Sequence, residues 1–103
     1  MNVIRIQYTV ANEFAETNKK NIANVMDELR SANHPEIRYS SYVFENGKTF
    51  MHIFISLDKE AQKIIDNLAS FKHFQTELKA SRPETPPQFE NLTLVGSSYD
   101  LFG

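Results

Sequence analysis

Cysteine and tryptophan are both missing from these 103 residues. Without thiols there is no disulfide, no thiolate metal site and no cysteine nucleophile, and such a chain suits a reducing, cytoplasmic setting. Glycine is nearly as scarce, three in all, so a phosphate-cradling glycine-rich loop is not expected. No apolar stretch reaches the length of a membrane span, and Met1-Asn2-Val3-Ile4-Arg5-Ile6 is too short and interrupted for a secretory leader. A formal charge of -2 gives no general attraction to nucleic acid or to an anionic membrane, and neither is expected as a partner. The length suits one domain, residues 1–103, with a modest core.

What is present is organised around Glu45-Asn46-Gly47-Lys48 and the two β-rich runs it joins, Ile37 to Phe44 and Thr49 to Leu57. Asn-Gly between such runs is a strong hairpin signal, because a type I′ turn needs positive φ at both central residues. The resulting register sets Val43 opposite Phe50, Ser41 opposite His52, Tyr39 opposite Phe54 and Ile37 opposite Ser56, with partners on one face. The other face carries Arg38, Ser40, Tyr42 and Phe44 against Thr49, Met51, Ile53, Ile55 and Leu57. Neither face of the second run is polar enough to stand in water. The more aliphatic face is assigned to the helices, and the face centred on His52 to some other cover.

Before the hairpin, Val3 to Val10 alternates as a strand whose Ile4, Ile6, Tyr8 and Val10 face the helices. Asn12 then reads as an N-cap to a helix with Ile22, Val25, Met26 and Leu29 on one stripe, stopped at Asn33 before His34-Pro35. After the hairpin, Asp58 caps a second helix with Ala61, Ile64, Ile65 and Leu68 as its stripe. Residues 70–81 read equally as a separate third helix or as a kinked continuation of the second. The proline-rich stretch Ser81 to Pro87 reads as a loop, and Asn91 to Tyr99 as a last strand. This order is a split βαβ pattern: an α+β, ferredoxin-like protomer with a four-stranded antiparallel sheet and its helices on one face. The face left bare is expected to hold Val3, Arg5, Gln7, Thr9, Tyr39, Ser41, Phe50, His52, Phe54, Thr93 and Val95, and two copies packed there would form a dimeric α+β barrel with a cavity between the two sheets.

With Phe54-Ile55-Ser56-Leu57-Asp58-Lys59-Glu60-Ala61 following a tight hairpin, and Leu68-Ala69-Ser70-Phe71-Lys72-His73-Phe74 later, the chain resembles the antibiotic biosynthesis monooxygenase type of dimeric α+β barrel. The resemblance implies a homodimer whose cavities accept polycyclic aromatics, quinols or haem. Members that oxidise aromatics or degrade haem carry a Trp near the end of the third strand, where this chain has Ser56. Asn67 stands near the position of the haem-ligating helix His, and Gln7 near that of a first-strand Asn. These departures speak against haem degradation.

His52 is the most informative polar residue, since a neutral imidazole in an aromatic pocket is able to accept or give a proton at neutral pH. Its alternative reading is a structural His held by the Ser41 hydroxyl. Arg5 and Gln7 share its assigned face, where Arg5 is a fork for a carboxylate or phenolate, or else an ion pair across the dimer. Tyr39, Phe50 and Phe54 form either an aromatic platform for a ring-shaped ligand or plain core. His34, His52 and His73 are dispersed, so no metal site is expected, and no cofactor. Three readings follow: a small-molecule-binding homodimer, a cofactor-independent monooxygenase or isomerase acting on an aromatic or quinone-like substrate with His52 as catalytic base, and a purely structural or regulatory association module.

Overall fold

The structure, a computed structural model, describes residues 1–102. Its elements are β1 (Asn2–Thr9), a 3-10 turn (Asn12–Phe14), α1 (Ala15–Ala32), β2 (Ile37–Val43), β3 (Thr49–Ser56), α2 (Lys59–Asp66), α3 (Ala69–Ala80) and β4 (Thr85–Leu92). The strands form one sheet in the order β2-β3-β1-β4, each neighbouring pair antiparallel. This is the expected α+β, ferredoxin-like arrangement of a four-stranded antiparallel sheet with its helices.

Local chemistry accounts for most boundaries. Asn33 sits in the left-handed conformation with φ 52° and donates its backbone N–H to the Arg30 and Leu29 carbonyls, which ends α1. Asp58 caps α2 by accepting from the Ala61 N–H at 2.9 Å. Residues 70–80 belong to a separate helix, with Ser81 as its C-cap: the chain breaks at Asn67-Leu68, and α3 is capped from outside by Glu28 of α1. The Glu28 Oε1 accepts from the Ser70 hydroxyl at 2.6 Å and from its N–H at 3.1 Å, bonds that hold the carboxyl below its ordinary pKa.

Three local expectations need correction. Asn12 opens the 3-10 turn, and no side-chain cap precedes α1. The hairpin keeps its expected register, but Gly47 alone takes positive φ, at 76°, while Asn46 uses its side-chain oxygen to accept from the Lys48 and Thr49 N–H groups. The connection is therefore a four-residue loop closed by the Phe44 N–H on the Thr49 carbonyl, not a type I′ turn. The last strand begins at Thr85, inside the proline run, and ends at Leu92. Pro86 and Pro87 are accommodated because β4 is an edge strand bonded only to β1, and its register shifts between Gln7 and Thr9, where their missing N–H groups fall.

The largest correction concerns strand parity. β3 pairs with β1 so that Ile4 faces Phe54, Ile6 faces His52 and Tyr8 faces Phe50. The Ile4, Ile6, Tyr8 set does face the helices, and antiparallel pairing carries Phe50, His52, Phe54, Tyr39 and Ser41 to that same side. Phe50 and Phe54 are core residues there, and His52 packs against Phe74 of α3 with ring centroids 5.6 Å apart. The outer face holds Val3, Arg5, Gln7 and Thr9 with Met51, Ile53 and Ile55, and Arg38, Ser40 and Tyr42 at the β2 edge.

Candidate functional site

Beneath α3 lies a pocket of about 370 Å³, floored by Ile6, Tyr8, Tyr39 and His52, roofed by Phe71, Phe74 and Leu78, and bounded at its mouth by Gln75, Lys79, Pro83, Pro86, Pro87 and Phe89. The sequence builds it from three decisions. β1 and β3 bring Tyr8 and His52 side by side, α3 lays its Phe71, Phe74, Leu78 stripe over them, and the prolines of β4 form a stiff outer lip. Phe89 faces this mouth yet is 69% exposed, so the pocket has an apolar entrance.

A hydrogen-bonded network lies in the pocket floor. Asn18, fully buried on α1, donates its Nδ2 to the Tyr8 hydroxyl oxygen at 2.8 Å. That hydroxyl is 2.8 Å from His52 Nε2, and His52 Nδ1 is 2.7 Å from Ser41 Oγ and 2.9 Å from the Tyr39 hydroxyl. Asn18 occupies one lone pair of the Tyr8 oxygen, and we assign the Tyr8 proton to Nε2, which puts the imidazole proton on Nδ1 facing Ser41 and Tyr39. His52 is 1% exposed, and burial pulls its pKa down from 6.5 to about 4, so the ring is neutral at pH 7. Burial pushes both tyrosine hydroxyls above their ordinary pKa; the Asn18 bond partly offsets this at Tyr8, and the neighbouring Tyr8 adds to it at Tyr39. Asn18 Oδ1 and Asn21 Nδ2 on α1 are buried without a protein partner, an arrangement that costs about 1–3 kcal/mol per group.

Of the residues singled out from sequence, the structure brings His52, Tyr39 and Ser41 together. Phe50 and Phe54 pack beside them, Phe50 stacked on Tyr8 and Phe54 edge-on to Tyr39, without lining the pocket. Arg5 and Gln7 stand on the opposite face of the sheet, bonded to one another, with Arg5 Nη1 2.7 Å from Glu90 Oε1. No single pocket of the protomer takes both groups, and the pocket at His52 lies between sheet and helix. Sequence reasoning missed Tyr8 and Asn18 as site residues. The available signal was polarity out of place: an Asn on the stripe Asn18, Asn21, Ile22, Val25, and a hydroxyl at the end of the apolar side of β1. Among the described residues no three His, Cys, Asp or Glu side chains gather as a metal would require, and no helix is long and apolar enough to cross a membrane.

No protein-family model matches the chain, and no curated protein matches it in sequence. In three dimensions it is similar to a crystal structure of an antibiotic biosynthesis monooxygenase, with a TM-score of 0.78 at 15% identity over 93% of this chain and all of that one. A variant of SnoaB, a cofactor-independent oxygenase from Streptomyces nogalater, gives 0.71 at 14% identity over 96% and 97% of the two chains. Rv0793 from Mycobacterium tuberculosis gives 0.76 at 8% identity over 95% and 98%. The chain has the fold of the antibiotic biosynthesis monooxygenase structures, as its sequence resemblance implies.

Proposed function

We propose that the protein binds a small, flat, largely apolar molecule in the pocket under α3 and presents that molecule's hydroxyl or carbonyl oxygen to the floor of the pocket. The observation that carries this reading is the combination of an apolar chamber of about 370 Å³ with a buried hydroxyl–imidazole network at its base. A structural imidazole needs no chamber beside it, and a packed association module would have filled the space. Isothermal titration with 1-naphthol and 1,4-naphthoquinone tests the reading. One saturable site per protomer is expected, lost in Gln75→Trp, which crowds the mouth from the exposed side of α3 without disturbing the core. Absence of binding at millimolar probe, or binding indifferent to Gln75→Trp, would sink it.

A second reading is favoured by the state of His52. An unprotonated imidazole nitrogen joined to the Tyr8 hydroxyl in the pocket floor is placed to receive, through Tyr8, the proton of a phenol or enol, and ionised phenols and enols are the forms that dioxygen oxidises. The similarity to a cofactor-independent oxygenase supports cofactor-independent oxygenation or isomerisation at this site. Oxygen uptake with 1,4-dihydroxynaphthalene above the protein-free rate, abolished by His52→Gln, is the expected result; identical uptake by the variant would reject His52 as the base. We also infer a homodimer joined through the outer face, because Val3, Met51, Ile53 and Ile55 form a half-exposed apolar band across its central strands.

A further inference from the structure

The floor of the pocket is also the wall of a second space. Between α1 and the edge strand β2 runs an open groove of about 520 Å³ lined by Met26, Leu29, His34, Tyr39 and Ser41 among others. Tyr39 lines both spaces, Ser41 lines only the groove, and Tyr8 and His52 line only the pocket. His52 bridges them: Nε2 reaches Tyr8 on the pocket side, Nδ1 reaches Ser41 Oγ on the groove side, and the ring itself is shut off from water. Ser41 is half-buried and lines the groove without lining the pocket, so it is the member of the network that belongs to the groove alone.

We propose that Ser41 is the outlet of a proton path running from the apolar pocket through Tyr8 and His52 into the α1–β2 groove, by which the acidic proton of a bound phenol or enol leaves for solvent. It rests on the pocket taking such a ligand. Each member gains one proton as it gives one. The ligand O–H bond breaks as its proton joins the Tyr8 oxygen, the Tyr8 proton moves to Nε2, the Nδ1 proton moves to Ser41 Oγ, and the former Ser41 proton passes to water. Tyr8 and Ser41 end as hydroxyls, His52 ends neutral with its proton on Nε2, and the ligand remains as an anion. Lys79, at the mouth, is the only cationic side chain lining the pocket among the described residues. The path explains why a ring with both nitrogens already engaged sits under a ligand chamber: His52 works as a two-ended carrier whose protonated nitrogen alternates. Asn18 is a positioning residue, since its amide holds the Tyr8 hydroxyl beside Nε2.

The path makes a claim about the free protein that needs no ligand. With only three histidines, nitrogen-15 labelled histidine gives a resolved signal for His52, and saturation transfer from water reads how fast its ring proton exchanges. At pH 7 the proton is expected on Nδ1. Ser41→Ala is expected to slow its exchange at least tenfold, and Ser41→Thr to restore it to within about threefold of the parent. Exchange in Ser41→Ala at the parental rate or faster overturns the proposal. So does a proton resident on Nε2 in the parent, because Tyr8 then has no lone pair to deliver to. The 1-naphthol titration is read separately: loss of binding with Ser41-dependent exchange intact removes the ligand reading and leaves the outlet standing.

Discussion

The two faces of this one sheet are built in opposite senses. Its buried side carries an imidazole, four hydroxyls (Tyr8, Tyr39, Ser41 and Ser56) and, from α1, two amides, and it leaves Asn18 Oδ1, Asn21 Nδ2 and Ser56 Oγ without protein partners. Its open side carries Val3, Met51, Ile53 and Ile55, half in water. Folding alone favours the reverse, since burying polar groups costs free energy unless they are paired and exposing aliphatic ones forgoes burial. A sequence breaks such local rules where function or association requires it. The inner face is the proposed site and the outer face the proposed interface.

The strongest way to break that comparison is to treat both faces alike. Phe54 lies in the core and Ile53, its neighbour in sequence, points the other way. Phe54→Ala is expected to cost about 3–5 kcal/mol in denaturant unfolding, as large aromatic truncations in a core do. Ile53→Ala at the same protein concentration should cost less than half of that. Equal losses would mean that the faces are not distinguished as described.

Acid provides the next largest effect, and its sign follows from the direction of the His52 shift. His52 has a folded-state pKa near 4 against 6.5 in the unfolded chain, so below pH 6.5 the unfolded state binds more protons. Stability is full above about pH 6.5 and is lost as pH falls toward 4, by about 3 kcal/mol at most from this residue. Glu28, held low by Ser70, loses stability in the same direction as its carboxyl protonates, so the measurement must be a difference. His52→Gln should be less stable than the parent at pH 7 but should show a shallower decline between pH 6.5 and 4. Parallel curves for the two proteins would place the His52 imidazole in contact with water.

Much of this architecture is legible in the sequence, and the part that is not has a definite cause. The order of elements, the β2–β3 register, the Asn33 stop and the Asp58 cap follow from local chemistry acting over a few residues. Parity between β1 and β3 does not, because nothing local links Tyr8 to Phe50 across 42 positions. With β3 apolar on both faces, the alternation of Phe50-Met51-His52-Ile53-Phe54-Ile55 leaves its orientation undetermined. Assigning the aliphatic set to the core is sound on hydrophobicity alone. It fails because His52 and Ser41 find their partners inside, in Tyr8, Tyr39 and ultimately Asn18. The β4 boundary was hidden for another reason: proline argues against a central strand, and whether a strand lies at the edge is a property of the finished sheet.

The proposed interface sets the third prediction. Ile53→Asp puts an unpaired charge at the centre of the apolar band on the outer face and leaves the pocket floor untouched. Sedimentation should show the parent as a dimer at micromolar concentration, and the variant as a folded monomer with its association weakened by about 2–3 kcal/mol, roughly 30- to 150-fold. A parent that sediments as a monomer at that concentration ends the homodimer reading. A variant that remains dimeric moves the interface elsewhere.

The smallest effect sharpens the comparison most finely, because it asks whether the outer face is wet. Arg5 Nη1 lies 2.7 Å from Glu90 Oε1 with side chains 31% and 61% exposed, and the same guanidinium bonds Gln7 and, through Nε at 3.3 Å, Met51 Sδ. Within one protomer this is a surface pair, for which a coupling of about 0.2–1 kcal/mol is ordinary and high salt removes much of it. If two outer faces close on one another, the same pair loses its water, its coupling rises, and added salt reaches it less. A double-mutant cycle with Arg5→Gln and Glu90→Gln should therefore give a coupling below about 1 kcal/mol that salt screens in the monomeric Ile53→Asp background. In the otherwise native protein the coupling should be larger and less sensitive to salt. The same small, salt-screened value in both backgrounds would mean that Arg5 and Glu90 stay in water whatever the protein's state of association, and the proposed interface would have to exclude the β1–β4 side of the sheet.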